Sequence, residues 1–215
     1  MSESSEAASP PPAPPESEKD SGLDRVILFS DAVVAIAITL LVLPLLDIAD
    51  EKGPIGDVLG NASSQILMFF VSFAVVASFW VNHREIFQGV ARVSSPMIWA
   101  NMLWLAAIAF LPFPSEVLGD RGPDEAGVRA FYVGTMWACS LAQVLLSVII
   151  VRSPGVWKGD ERPEISLSSS IASALLFGVV FVVAVLVPSI GLYALLGLFL
   201  IGPLTSALDR RTAAR

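Results

Sequence analysis

Charged residues are scarce in this 215-residue sequence. They make up 15% of the chain, whereas soluble proteins carry about 25%. The formal net charge is −7, so the basic surface that nucleic-acid binding requires is missing. Together with a hydrophobic content of 54%, this excludes an ordinary soluble domain and a nucleic-acid partner, and it predicts a chain whose surroundings are a lipid bilayer.

Residues that build disulfides, metal centres and catalytic sites are also few. The chain has one cysteine, Cys139, and one histidine, His83. A single cysteine cannot form an intrachain disulfide, and no further Cys, His or carboxylate stands at ligand spacing from His83. There is no glycine-rich phosphate loop and no pair of acids at the same depth. We therefore expect no enzyme, no cofactor and no resident metal.

Long apolar segments are abundant, and six of them can cross about 30 Å of hydrocarbon. They are residues 25–46, 63–83, 95–118, 127–151, 165–187 and 189–208. Each should be helical, because an isolated strand would leave backbone groups unpaired in lipid. The sequence thus predicts an all-α integral membrane protein, with six transmembrane helices in a domain over 23–208. Residues 1–22, rich in Pro, Ser and Glu, are predicted to be a disordered tail, and 209–215 a short basic tail.

The distribution of Lys and Arg predicts how the chain is oriented. Ten of the 13 Lys and Arg residues fall in the N-terminal tail, the loops after the second and fourth segments, and the C-terminus. Positive charge collects on the cytoplasmic side, so both termini should be cytoplasmic, in a multi-pass protein of the plasma membrane. Trp80, Trp99, Trp104 and Trp137 lie within the segments, where tryptophan usually anchors the interface.

The first segment carries two different helical faces. At about 100° per residue, Ile36, Leu40 and Leu43 fall within roughly 60° of one another, with Thr39 at the edge; we call these four residues the ladder. Asp31 points about 140° away from Ile36. Periodicity alone leaves two interpretations of the ladder open, which are ordinary helix packing or the lining of a path enclosed by several copies.

Polar residues on three segments lie at one depth near the inner side. Ser30 and Asp31 are about a turn and a half into the first segment, Trp80 and His83 end the second, and Asn101 is about a turn and a half into the third. A carboxylate inside the membrane is costly unless it is paired, so these side chains should meet. They could form a proton or ion site, or a clamp between helices. The direction of Asp31, away from the ladder, favours the clamp.

Three motifs follow one another along the chain: Arg25-x-x-x-Phe29-Ser30-Asp31 followed by AVVAIAITLLVLP, then Trp80-x-x-His83-x-x-x-Phe87, then Asn101 with FLPFPS. In this order they resemble the signature of the transmembrane protein 175 family of potassium channels. The resemblance is close over the first three segments, whereas the last three match in number and hydropathy only. The chain shows one Phe-Ser-Asp motif and no second copy, which is similar to the single-repeat prokaryotic branch.

What the resemblance implies is a potassium-selective or weakly selective cation leak channel. In that family a homotetramer places the first helices around a central pore. The matching residues are Ile36 as hydrophobic constriction, Thr39 for selectivity, and Leu40 and Leu43 as further layers. The family's structural polar network maps onto Arg25, Phe29, Ser30, Asp31, Trp80, His83 and Asn101. The expected partners are potassium ions, the lipid bilayer and other copies of the chain.

Other functions remain open at this point. A secondary transporter would require inverted repeats and broken helices around a midplane site, and a proton-conducting protein or a scaffold without transport could share the architecture. The sequence has no TVGYG-like loop, which excludes a carbonyl selectivity filter. It has no arginine-rich segment, which argues against steep voltage gating.

Overall fold

The computed structural model describes residues 16–49, 52–122, 124–157 and 167–186, and these ranges are helical almost throughout. The helices are α1 (Glu16–Leu40), α2 (Leu43–Ala49), α3 (Ile55–Asn61), α4 (Ser63–Ile86), α5 (Ser95–Phe110), α6 (Pro112–Arg121), α7 (Ala126–Arg152) and α8 (Leu167–Leu186). The all-α prediction is confirmed for this part of the chain. The predicted sixth segment, 189–208, and the basic tail, 209–215, lie outside the described residues.

Within these ranges, four helical stretches are long and apolar enough to cross a membrane. They are Gly22–Ile48, Ser63–Ile86, Ser95–Arg121 and Ala126–Arg152. They coincide with the first four predicted segments. The fifth predicted segment is helical as α8, in which Ser170–Val183 forms a shorter apolar stretch.

The first helix begins earlier than expected. Its first residue is Glu16, so residues 16–22 of the predicted tail are helical, while residues 1–15 lie outside the described range. Glu and Lys are good helix formers, and adding a turn to an existing helix avoids the cost of nucleation. Composition alone therefore misplaced this boundary.

The first segment is not the single continuous helix that we expected over 25–46. α1 ends at Leu40 and α2 begins at Leu43, because Pro44 has no N–H to donate to the Leu40 carbonyl and its ring crowds that group. The Leu41 and Val42 amides instead bond three residues back, to Ile38 O at 3.3 Å and Thr39 O at 3.2 Å. Leu43 thus sits on a separate short helix, and its direction is not fixed by the periodicity of α1.

The third segment is interrupted in the same way. α5 ends at Phe110 and α6 begins at Pro112, where proline at the first helical position is favourable. A buried hydroxyl cluster ties α6 to its neighbours: Ser72 Oγ lies 2.6 Å from Ser115 Oγ and 2.7 Å from Tyr132 Oη. Because α4, α6 and α7 each contribute one of these hydroxyls, the cluster fixes their relative depth.

The core lies around α7, against which α4, α5, α6 and α8 pack. Trp104, Ile108, Met136 and Val76 are fully buried there. Gln143 Nε2 on α7 donates to Phe79 O on α4 at 2.7 Å, and Ser147 Oγ on α7 lies 3.0 Å from Ser170 Oγ on α8. A second apolar cluster lies near the C-terminal ends of α4 and α7 and contains Leu23, Ile86, Phe87, Val90, Met97, Ala100, Leu146, Ile150 and Val156.

Replacing Gly178 with valine should destabilise the contact between α7 and α8. A Cβ at Gly178 would lie 3.1 Å from Trp137 Nε1, and that indole is held in place by its hydrogen bond to Ala174 O at 3.1 Å. Overpacking of this kind costs about 1–3 kcal/mol, so Tm in detergent should fall by several degrees. Gly60→Val is the control, because nothing lies within 4 Å of that position. An equal Tm for both variants would contradict the proposed clash.

Candidate functional site

A buried hydrogen-bond chain joins α1, α4 and α5 near the C-terminal end of α4. Asn101 Nδ2 donates to Ser30 Oγ at 2.8 Å, and Asn101 Oδ1 lies 2.8 Å from His83 Nε2. Ser30 Oγ passes its own hydrogen to Val26 O, one turn back on α1, at 2.8 Å. Because Asn101 uses its amide N–H on Ser30, its oxygen accepts and His83 Nε2 is the donor. All three side chains are almost completely buried.

A second contact secures the intramembrane carboxylate. Trp80 Nε1 donates to Asp31 Oδ1 at 2.7 Å, and both side chains are half-buried. A hydrogen bond to an ionised acceptor is stronger than one between neutral groups. The guanidinium carbon of Arg84 lies 5.7 Å from the centre of the Trp80 ring, within range of a cation–π contact. α1 is therefore held to α4 here and to α5 through Asn101.

Sequence reasoning missed one member of this site. Trp104 stacks on His83, with ring centres 4.1 Å apart and planes 10° apart, and it is fully buried. The expectation that it anchors the membrane interface is wrong, since such an anchor would reach the bilayer surface. The available signal was spacing, because Trp104 follows Asn101 by three residues and so shares its face of α5.

Two residues that the resemblance assigned to the network stand apart from it. Phe29 and Arg25 are both exposed, and within the described residues no hydrogen bond links Arg25 to Ser30, Asp31 or Trp80. The structure thus brings together Ser30, Asp31, Trp80, His83 and Asn101. It leaves the Arg25 side of α1 uncovered.

The ladder lies on the uncovered side of the first segment. Ile36 is 59% exposed, Leu40 39% and Leu43 50%, although Leu43 belongs to α2. Thr39 is exposed as well, and its hydroxyl donates to Ile36 O at 2.8 Å. One side of α1 is therefore clamped by polar bonds, while the other presents apolar side chains and one hydroxyl oxygen.

The described residues offer little for acid–base or metal chemistry. Among them, no group of three or more His, Cys, Asp or Glu could hold a metal ion. What this geometry can do is hold α1 in a fixed rotation against α4 and α5. That keeps the ladder directed away from the rest of the chain.

Comparison with known proteins matches the stretch that contains both the network and the ladder. The family model described as "Endosomal/lysosomal potassium channel TMEM175" matches residues 25–112. The crystal structure of a lysosomal potassium-selective channel TMEM175 homolog from Chamaesiphon minutus superposes with a TM-score of 0.70 and 26% sequence identity. The match covers 86% of this chain and 98% of that one. The chain is thus similar to the TMEM175 family over residues 25–112 and shares the fold of its Chamaesiphon homolog.

Relatives within the TMEM175 family carry two kinds of name. A protein of Streptomyces collinus named a potassium channel is 37% identical over 122 residues, which are 55% of this chain and 59% of that protein. A cattle protein named an endosomal/lysosomal proton channel is 36% identical over 98 residues, which are 41% of this chain and 20% of that protein. This chain is therefore a multi-pass membrane protein that is similar to ion channels and not to enzymes. It aligns with less than two thirds of each of these relatives.

Proposed function

We propose that this chain forms a potassium-conducting cation channel. In this proposal, four copies with six transmembrane helices each surround a central pore in the plasma membrane, with both termini cytoplasmic. α1 lines the pore, Ile36 forms its narrowest ring, Thr39 supplies a ring of oxygens, and Leu40 and Leu43 add further layers. Conduction is passive and potassium-selective or weakly selective.

The observation that carries this proposal is the uncovered ladder on an anchored helix. Ile36, Leu40 and Thr39 project from α1 opposite the clamp, so their direction is set by hydrogen bonds and not by chance rotation. A single apolar stripe encloses nothing, whereas symmetric copies of it close around an axis. Similarity to an ion-channel family supports the choice of this face as the pore lining.

A ring of Ile36 side chains would control ion passage by steric closure and dewetting. An ion that crosses an apolar constriction sheds part of its hydration, which is costly, so the conductance should be low. The clamp has a positioning role in this mechanism. Asp31 bonds to Trp80 on the side away from the ladder, so it does not itself line the path.

Reconstitution into liposomes tests the proposal. Potassium flux through purified wild-type protein should exceed that of protein-free liposomes and should rise with potassium concentration without saturating. A pH-sensitive dye inside the vesicles measures protons in parallel, because the cattle relative bears the name of a proton channel. Saturable, proton-coupled uptake would favour a transporter. A proton current without potassium flux would favour a proton channel. If neither potassium nor proton flux exceeded that of protein-free liposomes, the potassium channel and the proton channel would both be overturned.

A further inference from the structure

The exposed side of the first segment carries opposite charges at its two ends. Arg25 precedes Ile36 by eleven residues on the continuous helix α1, so at about 100° per residue it lies about 20° from Ile36. It is exposed, and among the described residues no hydrogen bond connects it to the clamp. Arg25 is therefore placed on the ladder side, about 16 Å along the helix from Ile36.

The other end carries an acid in the same relation to the ladder. Asp47 follows Leu43 by four residues on α2, so it lies about one turn farther out and on nearly the same side. Leu43, Leu46 and Asp47 are all exposed and form the uncovered side of this short helix. Asp47 also stands eleven residues from Ile36, on the opposite side of it from Arg25.

The remaining charges of Gly22–Ile48 do not share this side. Asp24 lies about 120° from Ile36, and Asp31 about 140° away, where it is bonded to Trp80. Lys52 is exposed beyond the end of α2. Arg25 is thus the charge that α1 aligns with Ile36, and Asp47 is the charge on the exposed side of α2 beside Leu43. The two charges have opposite sign.

We infer that Arg25 and Asp47 make the cation current rectify, so that it is larger from the Asp47 end to the Arg25 end than in reverse. This inference rests on the proposed function, in which each residue forms a ring at one mouth of the pore. A negative ring raises the local concentration of cations and a positive ring lowers it. Cations are then supplied more readily from one mouth than from the other.

The effect should depend steeply on ionic strength. The Debye length is about 30 Å at 0.01 M salt and about 3 Å at 1 M, whereas Arg25 stands about 16 Å from Ile36 along α1. A mouth potential of about one kT changes the local cation concentration roughly threefold. Because the two mouths carry potentials of opposite sign, their effects multiply, and we expect up to about a ninefold difference between the two directions in dilute salt and a ratio close to one in concentrated salt.

Excised patches from cells that express the chain test this inference, because all channels in a patch share one orientation. Currents are measured at equal positive and negative voltages in symmetric KCl, at about 0.01 M and 1 M. Arg25→Gln should increase the smaller current and Asp47→Asn should decrease the larger one, each about twofold to threefold in dilute salt. The swapped variant Arg25→Asp/Asp47→Arg should reverse the direction of rectification.

The matched controls are Asp24→Asn beside Arg25 and Asp57→Asn on α3, which are exposed acids away from the ladder side. Each should change the ratio much less than Arg25→Gln or Asp47→Asn does, because its charge stands away from the ladder side. The inference is overturned if the wild-type current is linear in dilute salt and does not change with Arg25→Gln or Asp47→Asn. That result leaves the proposed channel function intact. Absence of any current above untransfected patches overturns the proposed function instead. If one variant fails to reach the membrane, the salt dependence of the wild-type current and the current of the other variant still decide whether the inference holds.

Discussion

Replacing Ile36 with alanine is expected to raise potassium flux at least about tenfold. The substitution removes three carbon atoms from each copy of the ring, and about 0.8 kcal/mol of apolar transfer energy accompanies each of them. A barrier lowered by only about 1.4 kcal/mol increases a rate tenfold. The wider and less apolar ring should also hold water more readily, so sodium should be excluded less well. Fluorescent potassium flux into liposomes measures both effects.

The control for this experiment is Ile38→Ala, which removes the same three carbons from the same helix. Ile38 lies about 3 Å from Ile36 along the axis of α1, but it points about 160° away and packs, partly buried, against the helical core. Flux per folded protein should therefore remain near that of the wild type. Leu40→Ala should raise flux by less than Ile36→Ala, since it widens a layer that is not the narrowest. Equal flux through wild type and Ile36→Ala would mean that the ladder packs against protein or lipid and lines no pore.

Replacing Asn101 with leucine should cost the fold about 2–4 kcal/mol. Leucine has a similar volume but removes both hydrogen bonds at the centre of the clamp. It leaves the buried His83 Nε2 without its partner and takes the donor from Ser30. Each buried polar group left unsatisfied costs about 1–3 kcal/mol. Thermal unfolding in detergent, followed by size-exclusion chromatography, should show a Tm lower by several degrees.

Ser30→Ala is the matched comparison. Ser30 gives its hydrogen to Val26 O within its own helix, so its loss should cost less than the loss of Asn101. Because the two residues are bonded, the double variant should be less destabilised than the sum of the single variants. A Tm for Asn101→Leu that matches the wild type would show that the chain from Ser30 to His83 does not hold α1 in place.

Depth could be predicted from the sequence because helical rise is regular. Counting residues from the ends of three segments placed Ser30, Asp31, Trp80, His83 and Asn101 at one level, and in the structure these side chains form the two hydrogen-bonded contacts of the clamp. Counting residues in this way fails where a helix is interrupted. Hydropathy continues smoothly through Pro44, so the apolar pattern missed the end of α1 at Leu40, although this proline was itself the signal for a break.

Which face of a helix meets protein and which meets lipid could not be predicted in the same way. In a bilayer, an apolar side chain is as stable against lipid tails as against another helix. Its exposure in a single chain therefore does not tell whether it faces lipid or protein. Phe70 on α4 is 61% exposed and Ile36 59%, and nothing in their residue types distinguishes a lipid-facing side chain from a pore-lining one. Only the clamp on the opposite side of α1 gives Ile36 a defined direction.

The hydrogen bond from Thr39 to Ile36 O sets which sign of ion the proposed pore can accept at that level. The hydroxyl has a single hydrogen, and it is committed to the backbone at 2.8 Å. The oxygen therefore shows only lone pairs to the space beyond it. Four such oxygens could take the place of water around a potassium ion. A chloride ion, which needs hydrogen donors, finds none from Thr39.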